Sequence, residues 1–137
     1  MDTTATGAQL QPDDAAQIRA TIAPWSQACL DRDWDALLAM CTEDIVFSAP
    51  GEPKVTGTAA VRTWLEDYPV MKTLDFDFDR MEISGDLAVA NGSGSMTIKV
   101  EGQEDTMIFD FTDTLRKNRH GTWLYSSVTY NAKAAPA

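Results

Sequence analysis

Residues 74–79 read LDFDFD, so apolar and acidic side chains alternate with a period of two. This alternation predicts a β-strand with one apolar face. Three more strand-like runs follow, near residues 86–100, 105–117 and 122–131, and the turn-forming words SGD, EGQ and NRHG separate the four runs. The second half of the chain therefore predicts an antiparallel meander.

The first half of the chain shows helical spacing instead. Apolar residues recur three or four positions apart after an acidic cap at Asp13 and Asp14, at Ile18, Ile22, Trp25 and Cys29. Pro24 predicts a kink or a break just before Trp25, because proline removes the backbone bond to the carbonyl of Ala20.

Two more helices and a short strand complete the first half. Asp33 predicts the cap of a second helix that ends near Cys41, and residues 45–47 form a short β-rich run. Gly57 precedes a third helix, from Thr58 to about Tyr68. Helices followed by a sheet predict an α+β domain.

Composition limits the class of protein. The chain has 137 residues, enough for one domain, and we expect the folded part to span residues 12–131 between flexible tails at 1–11 and 132–137. The chain is acidic, with a net charge of -10, which opposes binding to nucleic acid or to an anionic membrane. The start, MDTTATGAQLQ, lacks the basic and apolar regions of a secretory signal, so we expect a cytoplasmic protein.

The sequence predicts no metal and no cofactor. Asp75, Asp77 and Asp79 resemble the start of a calcium loop, but Arg80 and Asp86 occupy the places of its glycine and glutamate. The two cysteines, at positions 29 and 41, lack metal-binding spacing and are expected to be reduced. The GSGS word at 92–95 lacks a phosphate-loop ending and lies inside a strand-like run, so it indicates a bulge or bend.

Asp113 is the candidate catalytic residue. The odd positions of the run from 106 to 117 share one strand face, and Asp113 stands there among apolar side chains such as Phe111. Because an unpaired buried carboxylate is costly, this group is expected to have a raised pKa, to find a partner or to line a wet cavity. The alternative is that the strand twists or bulges and Asp113 is a rim acid beside Arg116 or Lys117.

Several short words of the sequence resemble a known superfamily. They are DWDALL at 33–38 after Trp25, EDIVF at 43–47, PG at 50–51, GTAAV at 57–61, GDLAV at 85–89, RK at 116–117 and GTW at 121–123. In this order, over about residues 13–131, they resemble the nuclear transport factor 2-like superfamily and its SnoaL-like and ketosteroid isomerase-like members. The resemblance implies a cone-shaped α+β barrel, a curved antiparallel sheet wrapped around N-terminal helices with a pocket inside.

The resemblance carries over only part of the known catalytic sets. In ketosteroid isomerases a helical tyrosine and a late-strand acid bind the oxyanion, and an aspartate before a proline moves the proton. The matching positions are Trp25, Asp113 and Ala49, so the isomerase base is absent. The set of limonene epoxide hydrolase-like members is also incomplete, because Phe47 and Ala49 stand at its Tyr and Asn positions and residues 93–95 lack its Arg and Asp.

Two functions are left open by the sequence. The first is binding of a small, mostly apolar molecule in an internal pocket, with isomerase-, cyclase- or hydratase-like proton transfer if there is catalysis, and Asp113 as general acid. The ligand-binding residues would be Trp25, Phe47, Trp64, Tyr68 and Phe111. The second is a non-catalytic association module that binds a protein partner, as the kinase association domains of the superfamily do. We expect a homodimer in either case, because the helices can cover only one face of the sheet.

Overall fold

The computed structural model describes residues 13–133. The predicted tail 1–11 lies outside the described residues, as do residues 134–137 of the predicted C-terminal tail. The helices are α1 (Asp14–Arg19), α2 (Ile22–Asp31), α3 (Trp34–Leu38) and α4 (Thr58–Glu66). The strands are β1 (Cys41–Ser48), β2 (Val55–Thr56), β3 (Val70–Ser84), β4 (Leu87–Val100), β5 (Gln103–Lys117) and β6 (Trp123–Ala132).

The strands form one curved sheet in the order β2-β1-β6-β5-β4-β3. Strands β3 to β6 form the predicted antiparallel meander. The sheet is not wholly antiparallel, however, because β1 pairs in parallel with β6. The two edge strands, β2 and β3, do not pair with each other, so the sheet wraps around the helices without closing. The predicted α+β architecture is therefore confirmed, with a mixed sheet in place of an antiparallel one.

The helix starts follow the predicted caps. The carboxylate of Asp13 accepts a hydrogen bond from the backbone N–H of Ala16 at 2.7 Å, and that of Asp33 accepts one from Ala36 at 3.1 Å. Each bond satisfies one of the free N–H groups at a helix start. Gly57 precedes α4 and has a φ of 92°, a backbone conformation that would be strained for a residue with a side chain.

The break in the first helix lies at Ala20 and Thr21, not just before Trp25 as predicted. Pro24 instead occupies the first turn of α2, where a missing N–H costs no helical bond. The Thr21 hydroxyl lies 2.6 Å from the hydroxyl of Tyr125, which ties the break to β6.

Two glycines of β4 allow close packing against the neighbouring strands. A Cβ atom on Gly92 would lie 2.1 Å from a backbone oxygen of β3 and 2.5 Å from Cζ of Phe111. A Cβ on Gly94 would lie 2.3 Å from another β3 backbone oxygen. The register of β3 shifts between Phe78 and Arg80, opposite Gly92. The predicted irregularity at the glycine run is a bulge whose extra residue, Asp79, lies in β3 opposite the glycines, and the glycines leave space that phenyl rings occupy.

The core lies between the helices and the concave face of the sheet. Ile18, Leu37, Ile45, Val61 and Leu115 have no exposed surface. Burial alternates along β5 with the predicted period of two. None of the four helices in residues 13–133 is long or apolar enough to traverse a lipid bilayer.

Candidate functional site

A cavity opens between the helices and the concave face of the sheet. Its volume is about 670 Å³, including the solvent at its mouth. All six predicted site residues line it: Trp25 from α2, Phe47 from β1, Trp64 from α4, Tyr68 from the segment after α4, and Phe111 and Asp113 from β5. Other lining residues were not predicted from the sequence, among them the hydroxyl-bearing Tyr125 and Tyr130 of β6.

Asp113 is buried in the middle of the sheet. It pairs with Ala90 of β4 on one side and with Val128 of β6 on the other. The two cations that follow Asp113 in β5 form ion pairs with other acids. Arg116 pairs with Asp44 of β1, and Lys117 pairs with Asp14 of α1 at 3.0 Å. The rim-acid alternative is therefore wrong, because the strand keeps its alternation through Asp113.

The carboxyl group of Asp113 has an unpaired oxygen. The residue is 5% exposed, and among residues 13–133 no group forms a hydrogen bond with Oδ1. Burial raises the pKa of Asp113 well above its ordinary value, and a hydrogen bond from the backbone of Thr129 offsets only part of this rise. The neutral acid is favoured as a result, and a neutral acid can donate one hydrogen bond and accept another.

Aromatic rings form one wall of the cavity in a continuous row. The ring centroids of Tyr125 and Trp25 are 4.5 Å apart, and those of Trp25 and Phe47 are 6.2 Å apart. The row continues to Trp64 at 5.9 Å and from there to Tyr68 at 4.9 Å. These spacings are typical of packed aromatic pairs, so the wall is a continuous and largely apolar surface.

Two hydroxyl groups lie on the same cavity, those of Tyr68 and Tyr130, here called the tyrosine pair. Their oxygens are 3.2 Å apart, and the Tyr68 hydroxyl also lies 3.9 Å from the sulfur of Met96. Burial raises the pKa of both tyrosines. Nearby, the indole N–H of Trp64 donates to the carboxylate of Glu52 at 3.0 Å.

The cysteines do not supply a reactive group. Both are buried free thiols, and burial raises the pKa of Cys29 and of Cys41 to about 12. A thiol with so high a pKa is a poor nucleophile at neutral pH. Across residues 13–133, no three His, Cys, Asp or Glu side chains come together as potential metal ligands.

A curved sheet that wraps around helices, with a cavity between the helices and the sheet, defines the nuclear transport factor 2-like class of folds. The family model of the SnoaL-like domain matches residues 15–125, and the chain belongs to this family. No curated protein matches the sequence.

Solved structures agree with this assignment. A ketosteroid isomerase-like protein from Erwinia carotovora atroseptica superposes with a TM-score of 0.81 at 19% identity, over 91% of this chain and 100% of that one. A proposed dehydratase of the NTF2-like family from Streptomyces avermitilis has a TM-score of 0.71 at 15% identity, over 89% and 97% of the chains. A proposed calcium/calmodulin-dependent protein kinase II association domain from Xanthomonas campestris has a TM-score of 0.74 at 14% identity, over 91% of each chain. Such identities establish the fold alone.

Proposed function

We propose that the protein binds a small, mostly apolar molecule in the cavity and that Asp113 forms a hydrogen bond with one polar atom of it. The observation that carries this proposal is the unpaired Oδ1 atom of Asp113, a buried residue that lines the cavity. Buried polar groups almost always have partners, because an unmade hydrogen bond costs about 1–3 kcal/mol. A ligand oxygen would supply the missing partner.

The rest of the cavity indicates what the ligand is made of. The row from Tyr125 to Tyr68 offers ring faces, and Leu37, Leu65 and Met71 add aliphatic surface. Such a lining favours an apolar frame, since each Å² of apolar surface removed from water contributes about 25 cal/mol. A carbonyl oxygen suits the protonated carboxyl of Asp113 as acceptor. If the ligand reacts, Asp113 is placed to act as general acid in proton transfer or hydration.

A matched pair of small compounds tests this proposal. Acetophenone and ethylbenzene have similar shapes, but only acetophenone has an oxygen. We expect Asp113→Leu, which keeps the side-chain shape, to lower the affinity for acetophenone relative to ethylbenzene by about fivefold to tenfold. Protein-observed NMR titrations of both compounds measure the ratio.

The control variant is Asp105→Leu, which removes an exposed acid from the same strand. We expect its affinity ratio to equal that of the wild type. Failure of both compounds to shift any cavity resonance near their solubility limits would contradict binding in the cavity. An unchanged ratio in Asp113→Leu would contradict the role of Asp113.

A non-catalytic association module is the second candidate function. Leu87 and Ile108 favour it, because they point away from the cavity on the outer sheet face and are 50% and 48% exposed. Large exposed apolar side chains on a sheet face can contribute to an interface with a partner. Pull-down of a protein partner that is lost in Ile108→Glu and kept in Asp113→Leu would support this candidate.

A further inference from the structure

We propose that the ligand is elongated and has an oxygen function at each end of its apolar frame, one bound by Asp113 and the other by the tyrosine pair. This inference rests on the proposed function and specifies the class of ligand. The inference depends on the tyrosine pair, which has no part in the proposed binding of a carbonyl oxygen by Asp113.

The register of β5 and β6 sets the distance between the two polar groups. Asp113 lies opposite Val128, and Tyr130 lies opposite Phe111, two residues farther along the sheet. At the usual rise per residue this is about 7 Å. The ring of Tyr130 packs on Phe109 at 5.9 Å, and Phe109 is four residues from Asp113. The tyrosine pair therefore lies about 7–13 Å from the carboxyl group.

The tyrosine pair has hydrogen-bonding capacity to spare. Two hydroxyls supply two protons, and one proton is used between the two oxygens at 3.2 Å. The other has the sulfur of Met96 as an acceptor, at 3.9 Å from the Tyr68 oxygen. Thioether sulfur is a weak acceptor, so a ligand oxygen can replace it at a net gain. The pair also offers free lone pairs to a ligand hydroxyl.

Two pairs of probe compounds test the inference at mildly acidic pH, where all are neutral. Each pair compares one oxygen with two at opposite ends: acetophenone with 4-hydroxyacetophenone, and 2-acetylnaphthalene with 6-acetyl-2-naphthol. We expect the second oxygen to raise the affinity about fivefold in at least one pair. Tyr130→Phe and Tyr68→Phe should each reduce this gain in affinity. Asp113→Leu should lower the affinity for all four compounds but leave the gain from the second oxygen unchanged.

Thr63→Ala is the control, because it removes an exposed hydroxyl of α4 that donates to the carbonyl of Ala59 at 3.2 Å and does not line the cavity. We expect it to keep the gain from the second oxygen. The inference is overturned if neither pair shows a gain, or if the gain survives in both Tyr130→Phe and Tyr68→Phe. In that case, weaker binding of acetophenone by Asp113→Leu would still support the proposed function, so the two can fail separately.

Discussion

Replacing Asp113 by Asn should change how the stability of the protein depends on pH. Below about pH 3 the carboxyl is neutral in both the folded and the unfolded chain. As the pH rises, the unfolded chain loses its proton first, because burial holds the folded pKa of Asp113 well above the ordinary value. The free energy of unfolding of the wild type therefore falls by about 1.4 kcal/mol per pH unit, until the folded pKa is passed, and then stops falling.

The measurement is the difference in unfolding free energy between Asp113→Asn and the wild type, from urea titrations followed by tryptophan fluorescence. Since the other groups titrate alike in both proteins, the difference isolates Asp113. It should rise in favour of the variant from about pH 4 and level off at the folded pKa. Asp105→Asn, at an exposed site on the same strand, should give a flat line. A flat line for Asp113→Asn would refute the assignment of a buried, ligand-binding carboxyl group.

Four further predictions test the fold and its assembly. Gly92→Ala should destabilise the protein by about 1–3 kcal/mol in urea unfolding, because the new methyl group meets a backbone oxygen and a phenyl ring. The neighbouring variant Ser93→Ala is the control and should change the stability by less than about 0.5 kcal/mol. Arg32→Ala should cost about 1–3 kcal/mol, because its guanidinium donates to the carbonyl oxygens of Glu66, the last residue of α4, and of Tyr68, at 2.9 and 3.0 Å. Arg80→Ala removes an exposed ion pair and should cost far less, and equal losses would contradict the capping role of Arg32. Light scattering at micromolar concentration should give a molar mass of about 30 kDa, twice the chain mass of 15.0 kDa, and Ile108→Glu should lower this mass. A monomeric wild type would argue against an interface on the outer sheet face. Chelator treatment should leave the melting temperature unchanged, and a fall of several degrees would reveal a metal site.

The meander and the face of Asp113 could be predicted because both follow from local alternation. From Met107 to Lys117 of β5, more buried and more exposed residues alternate, and most of the odd, inward-facing positions are apolar, so the face of one residue fixes that of the others. The pairing of β1 with β6 could not be predicted in this way. It joins segments such as Phe47 and Val128 that are far apart in the chain, and no local pattern records it.

The two tyrosines of β6 were missed for a geometric reason. Tyr125 and Tyr130 both line the cavity, although one is at an odd position and the other at an even position. The register of β5 against β6 shifts between Thr114 and Leu115, and this irregularity changes which positions of β6 point inward. Alternation alone would place only one of the two tyrosines on the inner face.

The glycines of β4 also limit how this cavity can be redesigned. The Phe111 ring fills the space that a side chain at Gly92 would need, and the Phe109 ring does the same at Gly94. Trimming either phenylalanine to accept a larger ligand would therefore uncover the β4 backbone and weaken the sheet at its closest approach to β3. Trp64, which approaches from the helical side and faces no glycine, is a better position at which to change ligand size.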